Sequence, residues 1–214
     1  VAAQRGADGT GQVRTALGRS EGQAAPELPP VRLSIPAVSV EARIASMITR
    51  LEALAGRVYR VATPAAARAV VEETLANRTA VASNAPFLEE CGIPQLPNVR
   101  SGIADRDQLR EVCASAAMGI SSADYGLADT GTLVMLSSPH EARMISLLPP
   151  THIAVLPCSR VLTGLEEMFA LLPSPASMTS SMVLITGPSR TADIEQILVR
   201  GVHGPGEVIV VLVG

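Results

Sequence analysis

The chain has 214 residues, with 17 basic residues against 20 acidic ones and a formal net charge of −3. This length suits one sizeable α/β domain. The balanced charge, together with aromatic residues at only 2% of the chain, argues against nucleic acid as a partner, because no basic field or stacking platform is present.

The predicted elements begin with a tail. Residues 1–35 mix Gly, Gln, Ala, Arg and Pro without hydrophobic periodicity, which favours a surface tail or arm, and residues 36–214 are expected to form a single α/β domain. A helix is predicted over 40–54. Its apolar positions follow the spacing of one helical face: Ile44, Met47, Ile48, Leu51 and Leu54.

Short apolar runs then alternate with helical patterns. A strand at 58–62 precedes a helix that Thr63 can cap and that starts with Pro64. Further strands are predicted at 79–83, 131–137, 152–157, 181–187 and 207–214, and a further helix over 190–200. Because these strands carry few charges, they suit a sheet covered on both faces. The pattern predicts a three-layer α/β sandwich with a mostly parallel sheet and one or two antiparallel strands late in the chain, with the direction of the last strand left open.

A first candidate site is the stretch "GISSADYGLADTGTLV" at 119–134. Ser121 and Asp124 have the spacing of a capping box, which predicts a short helix. Asp129 then precedes Thr130, Gly131 and Thr132 at the start of an apolar strand. This Thr-Gly-Thr loop offers N–H and hydroxyl donors together, although a hairpin turn uses the same residue types.

The second candidate site is "GPSRTADIE" at 187–195, which follows a predicted strand and enters the predicted helix. Ligands of open α/β sheets collect beyond the carboxyl ends of strands, where helix N–H groups point outward. Gly187, Ser189, Arg190 and Thr191 would supply donors for an anion there. Asp193 and Glu195 suit the first turn of a helix. A plain cap, with Arg190 paired to an internal carboxylate, is the alternative.

No familiar metal or cofactor motif appears in the spacing of the remaining polar residues. Cys91, Cys113 and Cys158 form no CxxC pair, and the three histidines are scattered. We therefore predict no metal and no cofactor bound by this chain. Arg143 is expected on a helix, and His152 is expected to form a hydrogen bond at the start of a strand.

Four segments together resemble the LUD domain of the lactate utilization protein C family (LutC, also called YkgG). They are "GISSADYGLADTGTLV", "RMISLLPPTHIAVL", "GPSRTADIE" and "GVHGPGEVIVVLV". The family commonly has Glu where Asp129 stands. The resemblance implies a fold of the NagB/RpiA/CoA-transferase-like group. It also implies a role in the oxidation of L-lactate to pyruvate, alongside partner proteins that carry iron–sulfur clusters.

Our leading hypothesis combines the two candidate sites. A small anionic ligand would bind between the 129–132 and 187–195 loops, paired with Arg190, and Asp129 or Glu195 would act as the acid or base in any chemistry. The alternatives are a free-standing enzyme on sugar phosphates, CoA esters or folates, and a non-catalytic assembly subunit. Because the sequence shows no signal-peptide pattern and no apolar stretch that could span a bilayer, we expect a cytoplasmic protein.

Overall fold

The computed structural model describes residues 13–19, 34–194 and 197–214, and gives no side-chain description for residues 176 and 191–200. The chain divides into two units, Val1–Leu33 and Ser34–Gly214. Most of the predicted tail, residues 1–12 and 20–33, lies outside the described residues.

The described part of Ser34–Gly214 contains helices and strands in an alternating order. Its α-helices are α1 (Val40–Ala53), α2 (Pro64–Leu75), α3 (Pro86–Glu90), α4 (Arg106–Ser115) and α5 (Leu165–Leu171). Its strands are β1 (Arg57–Val61), β2 (Ala80–Ala82), β3 (Val99–Arg100), β4 (Met118–Ser122), β5 (Tyr125–Leu127), β6 (Thr132–Leu136), β7 (Thr151–Pro157), β8 (Val161–Leu162), β9 (Met182–Ile185), β10 (Arg190–Ile194), β11 (Ile197–Arg200) and β12 (Glu207–Val213). Short 3₁₀ helices span Arg143–Ser146, Cys158–Arg160 and Pro175–Ser177.

The main sheet has six strands in the order β1-β12-β7-β4-β2-β3. All of its neighbouring strands run parallel. The prediction of an α/β fold with a mostly parallel sheet is therefore confirmed. The final strand, whose direction the sequence left open, is parallel and lies between β1 and β7.

A second sheet of four strands has the order β8-β5-β6-β9 and is largely antiparallel. The strands predicted at 131–137 and 181–187 both exist, as β6 and β9, but they pair with each other in this second sheet. Sequence periodicity could not show this, because an apolar run reports burial and not the identity of the neighbouring strand.

The main sheet is covered on both faces, which gives three layers. One face packs against α2 and α3 through Val71 and Leu88. The other face packs against α1 and the second sheet, where Met47 and Leu133 meet strands of the main sheet. Nearer the β3 edge, α4 covers the same face over Val81. Burial on both faces explains why β7 and β12 are apolar along almost their whole length.

The two helices predicted with most local detail form as expected. The Ser39 hydroxyl accepts a hydrogen bond from the Ala42 N–H and caps α1. The Thr63 hydroxyl accepts one from the Ala66 N–H, and Pro64 is the first residue of α2. These caps satisfy N–H groups that have no partner within the helix.

The helix predicted over 190–200 is wrong, because this segment forms the antiparallel hairpin β10–β11. Its apolar positions fit a helical face, but Thr191, Ile194, Ile197 and Val199 are β-branched and favour strands. A short run of this kind is ambiguous between the two periods. The hairpin removes the helix N-terminus on which the second candidate site was built.

The capping box predicted at Ser121 and Asp124 is also wrong, because Ser121 lies within β4 and no helix follows. The Ser121 hydroxyl forms a buried hydrogen bond with the imidazole of His152 at 2.6 Å. The Asp124 carboxylate accepts the Leu136 N–H at 2.6 Å. Both polar side chains therefore join strands and do not cap a helix.

Candidate functional site

The two loops singled out from the sequence lie in contact through a row of hydroxyl groups. We call Thr130, Thr132 and Thr186 the threonine chain. The hydroxyl oxygens of Thr130 and Thr132 lie 2.8 Å apart, and those of Thr132 and Thr186 also lie 2.8 Å apart. At one end the Thr130 hydroxyl donates to the Asp129 carboxylate at 3.2 Å. Thr132 and Thr186, which are 54 positions apart in sequence, therefore meet, and Thr186 directly precedes the 187–195 loop.

Both loops pack on the C-terminal end of α1, and glycine makes this approach possible. A Cβ at position 131 would lie 2.9 Å from the Leu51 backbone nitrogen, and one at position 187 would lie 3.0 Å from the Leu54 Cβ. Both glycines also have positive φ, which disfavours other residues. The Thr-Gly-Thr segment is the turn of the β5–β6 hairpin, in which the Gly131 N–H donates to the Leu127 carbonyl.

Arg190 stabilises this end of the helix. Its guanidinium donates to the Leu54 carbonyl, which α1 leaves without an intrahelical partner. A cation at a helix C-terminus is also favoured by the helix dipole. Arg190 remains exposed, and no ion pair to a described carboxylate involves it. The alternative interpretation paired Arg190 with an internal carboxylate, and no such ion pair is present among the described residues.

The threonine chain lies at the amino-terminal edge of the main sheet. Only two residues separate Leu54 from the start of β1, and the Ser189 N–H donates to the Pro205 carbonyl just before β12. We had expected this loop beyond the carboxyl ends of the strands. The difference arises because β9, which precedes the loop, belongs to the second sheet.

Among Asp129, Thr191 and Glu195, only Asp129 has a described side chain. Asp129 is exposed and borders a cavity of about 230 Å³ that also contains Glu166 and Glu167, so its surroundings are acidic. Glu195 lies outside the described residues. The side chains of Thr191 and Asp193 also lie outside the description.

A buried carboxyl group that sequence reasoning missed lies at the opposite edge of the sheet. We call Glu141, Ser83, Ser122 and Asp124 the Glu141 cluster. The Ser83 hydroxyl donates to Glu141 Oε2 at 2.7 Å, and the Ser122 N–H donates to the same oxygen at 3.2 Å. Glu141 is only 7% exposed, and its Oε1 has no hydrogen-bond partner among the described residues.

The position of the Glu141 cluster follows from the topology. Ser83 comes directly after β2, and Ser122 ends β4. Within the main sheet, the next strand after β2 is β3, on one side, and the next strand after β4 is β7, on the other side. Carboxyl ends of two such strands form the place where α/β sheets commonly bind ligands.

Burial makes Glu141 an unusual acid. Loss of hydration, the largest cause, and the nearby Asp124 carboxylate together raise its pKa from 4.5 to about 8, although the hydrogen bonds from Ser83 and Ser122 oppose the rise. Burial also raises the pKa of Asp124. Glu141 is therefore protonated at neutral pH. Because Oε2 accepts two hydrogen bonds, the proton belongs on Oε1. Of the described carboxyl groups, this one is best suited to proton transfer.

His152 confirms the prediction of a hydrogen-bonded histidine at the start of a strand. It is fully buried, and burial lowers its pKa to about 4, so the ring is neutral. Its Nε2 meets the Ser121 hydroxyl, and its Nδ1 has no partner among the described residues. The pair links β4 to β7 inside the sheet.

Within the described residues, no group of three His, Cys, Asp or Glu side chains is placed to hold a metal ion. The three cysteines are free and buried, and burial raises the pKa of Cys91 and of Cys113 to about 11. No helix in the described part of the chain is long and apolar enough to cross a membrane.

Comparison with known proteins places these features in a family. The model of the LUD domain family matches residues 44–213. The lactate utilization protein C of Halalkalibacterium halodurans is 41% identical over 103 residues, covering 46% of this chain and 45% of that protein. The protein of the same name in Macrococcus caseolyticus is 39% identical over 99 residues, covering 44% of this chain and 43% of that protein. In these matches the chain spans less than half the length of its relatives.

One solved structure supports the fold. The crystal structure of a DUF162 family protein from Deinococcus radiodurans superimposes with a TM-score of 0.64 over 83% of this chain and 100% of the other, at 16% sequence identity. At this identity the likeness shows the fold alone.

Proposed function

Because the chain belongs to the LUD domain family, we propose that it acts in lactate utilization, the process for which its relatives are named, and that it binds a small carboxylate there. The oxidation of L-lactate to pyruvate would be shared with partner proteins whose iron–sulfur clusters take up the electrons. This chain would act in the cytoplasm and would supply the ligand site.

The observation that carries the ligand proposal is the threonine chain. Because each hydroxyl can both donate and accept, the hydrogen bonds along a row of three hydroxyls can all point in one direction or all in the other. Because the Thr130 hydroxyl donates to Asp129, the Thr132 hydroxyl donates to Thr130 and the Thr186 hydroxyl donates to Thr132. The Thr186 oxygen can then only accept a further hydrogen bond. If the order reverses, the exposed Thr186 hydroxyl donates outward, four residues before Arg190 in the chain.

A ligand carboxylate at this exposed end would accept the Thr186 hydroxyl proton and pair with Arg190. Arg50, which lies in the last turn of α1 against Gly131, adds a second positive charge. Charge-assisted bonds from guanidinium groups suit a carboxylate. The acidic surroundings of Asp129, at the other end of the chain, would repel the same ligand.

The test is calorimetric titration of the purified protein with L-lactate and with pyruvate. We expect Arg190→Ala to weaken binding at least about tenfold, and Thr132→Val to weaken it by breaking the row of hydroxyls. Arg78→Ala is the matched control, because Arg78 also donates to the last carbonyls of a helix, α2, far along the chain from both loops. Unfolding curves would verify that each variant is folded.

Growth on L-lactate tests the wider role. Cells that lack the native copy should grow when supplied with the wild-type protein and grow poorly with Arg190→Ala. The proposal fails if Arg190→Ala matches Arg78→Ala in ligand affinity and in growth.

Glu141 favours a second candidate function, that of a free-standing enzyme using proton transfer on sugar phosphates, CoA esters or folates. Its buried acid proton at the carboxyl ends of β2 and β4 is the observation behind it. The purified protein, without partners, would be incubated with each substrate class. Turnover that Glu141→Gln abolishes would favour this candidate, and absence of turnover with all three classes would reject it.

A further inference from the structure

A cavity of about 500 Å³ lies between α4 and the segment 143–148, and its lining includes no residue of the threonine chain or of the Glu141 cluster. Its charged lining consists of Arg106, Arg110, Arg143 and Asp107. Its apolar lining consists of Met144, Leu147 and Leu148. The volume falls in the range of small-molecule sites, which combine apolar walls with a few polar groups. We call it the arginine cavity.

The packing of α4 brings the three guanidinium groups together. Leu109, Val112 and Cys113 form the buried face of α4 and pack beside Ile145 of the 3₁₀ helix. Arg106 and Arg110 are exposed and four residues apart, so they are neighbours along one side of this buried face. Arg143 comes from the 3₁₀ helix itself.

The arginines lack the partners that such a concentration of charge normally has. Arg106 and Arg110 form no side-chain hydrogen bond or ion pair with any residue that the structure describes. Arg143 donates one hydrogen bond, to the neutral Ser181 hydroxyl at 3.2 Å. Asp107 is the single carboxylate in the lining. Like charges four residues apart on a helix repel each other, and an anion between them would relieve that repulsion.

The apolar lining decides what kind of anion fits. Leu148 is 49% exposed, and Met144 and Leu147 are half-buried beside it. An inorganic anion would leave these side chains in water, whereas a ligand with a hydrocarbon portion would cover them. Guanidinium groups bind carboxylates and phosphates in a bidentate manner.

We propose that the arginine cavity is a binding site for an amphipathic organic anion, whose carboxylate or phosphate pairs with Arg106, Arg110 and Arg143 while its apolar portion lies on Met144, Leu147 and Leu148. This site goes beyond the proposed role in lactate utilization and does not depend on it.

The experiment titrates the full chain with four probes: octanoate, octyl phosphate, octanol and inorganic phosphate. Octanoate or octyl phosphate should bind at least about tenfold more tightly than both octanol and inorganic phosphate, because only the amphiphiles use both linings. The stronger of the two amphiphiles identifies the anionic group. Amide resonances of residues 106–110 and 143–148 should shift on binding.

The double variant Arg106→Ala/Arg110→Ala should lower the affinity of the preferred amphiphile at least about tenfold. Arg100→Ala, which removes an exposed arginine outside the cavity, should leave it unchanged. These are surface positions, and a thermal unfolding curve checks that each variant is folded. Equal binding of octanol, no binding of either amphiphile, or equal loss in the double variant and in Arg100→Ala would each overturn the proposal.

Discussion

Glu141→Gln should abolish most of the pH dependence of stability between pH 6.5 and pH 8. The unfolded chain releases the Glu141 proton near pH 4.5, whereas the folded protein holds it up to about pH 8. Between these values the folded state binds more protons, so stability falls as pH rises. Below pH 4.5 the stabilisation from the raised pKa is complete, and above pH 8 it is lost.

His152 determines the lower limit of the pH range in which the titration of Glu141 dominates. Its pKa falls from 6.5 to about 4 on folding, so it makes stability rise with pH between those values and opposes Glu141. Above pH 6.5 this opposition ends. The Glu141 proton then accounts for a loss of about 2 kcal/mol between pH 6.5 and pH 8.

Urea unfolding at several pH values across this window would measure the effect. In Glu141→Gln the side-chain oxygen can still accept from Ser83 and Ser122, while the titration is absent. The matched control is Glu72→Gln on the exposed face of α2, which should keep the wild-type slope. If Glu141→Gln and wild type lose stability equally between pH 6.5 and pH 8, Glu141 is already ionised in the folded protein.

Gly119→Ala should destabilise the protein by at least about 3 kcal/mol. Gly119 is the second residue of β4 and lies against the 3₁₀ helix Arg143–Ser146, and a Cβ there would lie 1.9 Å from the Ile145 carbonyl oxygen. A backbone atom cannot rotate away as a side chain can, so the strand or the 3₁₀ helix must move. The small gain from a less flexible unfolded chain, below about 1 kcal/mol, does not offset this.

Gly204→Ala provides the control. Its Cβ would lie 3.5 Å from the nearest atom, the Ser189 Cβ, which is an ordinary contact. We expect a change within about 1 kcal/mol in equilibrium unfolding experiments. Similar stability losses in the two variants would show that the 3₁₀ helix does not press on β4 as described.

The elements that the sequence predicted correctly depend on nearby residues. The Thr63 cap acts over three residues, and the apolar face of α1 repeats within four turns. Strands β7 and β12 are long runs of buried side chains. Their residue types alone therefore indicate both strand structure and coverage on two faces.

The candidate site was predictable only in part. The residue types at 129–132 and 187–195 predicted two loops that share one site, and Thr132 does contact Thr186, the residue directly before the second loop. The edge of the sheet predicted for the second loop was wrong, because β9, which precedes this loop, belongs to the second sheet. No sequence pattern around Glu141 indicated a buried acid, since its hydrogen-bond partner Ser83 is 58 residues away in the chain.

The sequence by itself determined the α/β class, the Thr63 cap of α2, and the apolar strands of the main sheet, because local propensity and hydrophobic periodicity act within a single element. Only the tertiary structure decided the second sheet, the hairpin, the acid proton of Glu141 and the convergence of three arginines. These features depend on which distant segments are neighbours, and that choice is made by packing of the whole chain.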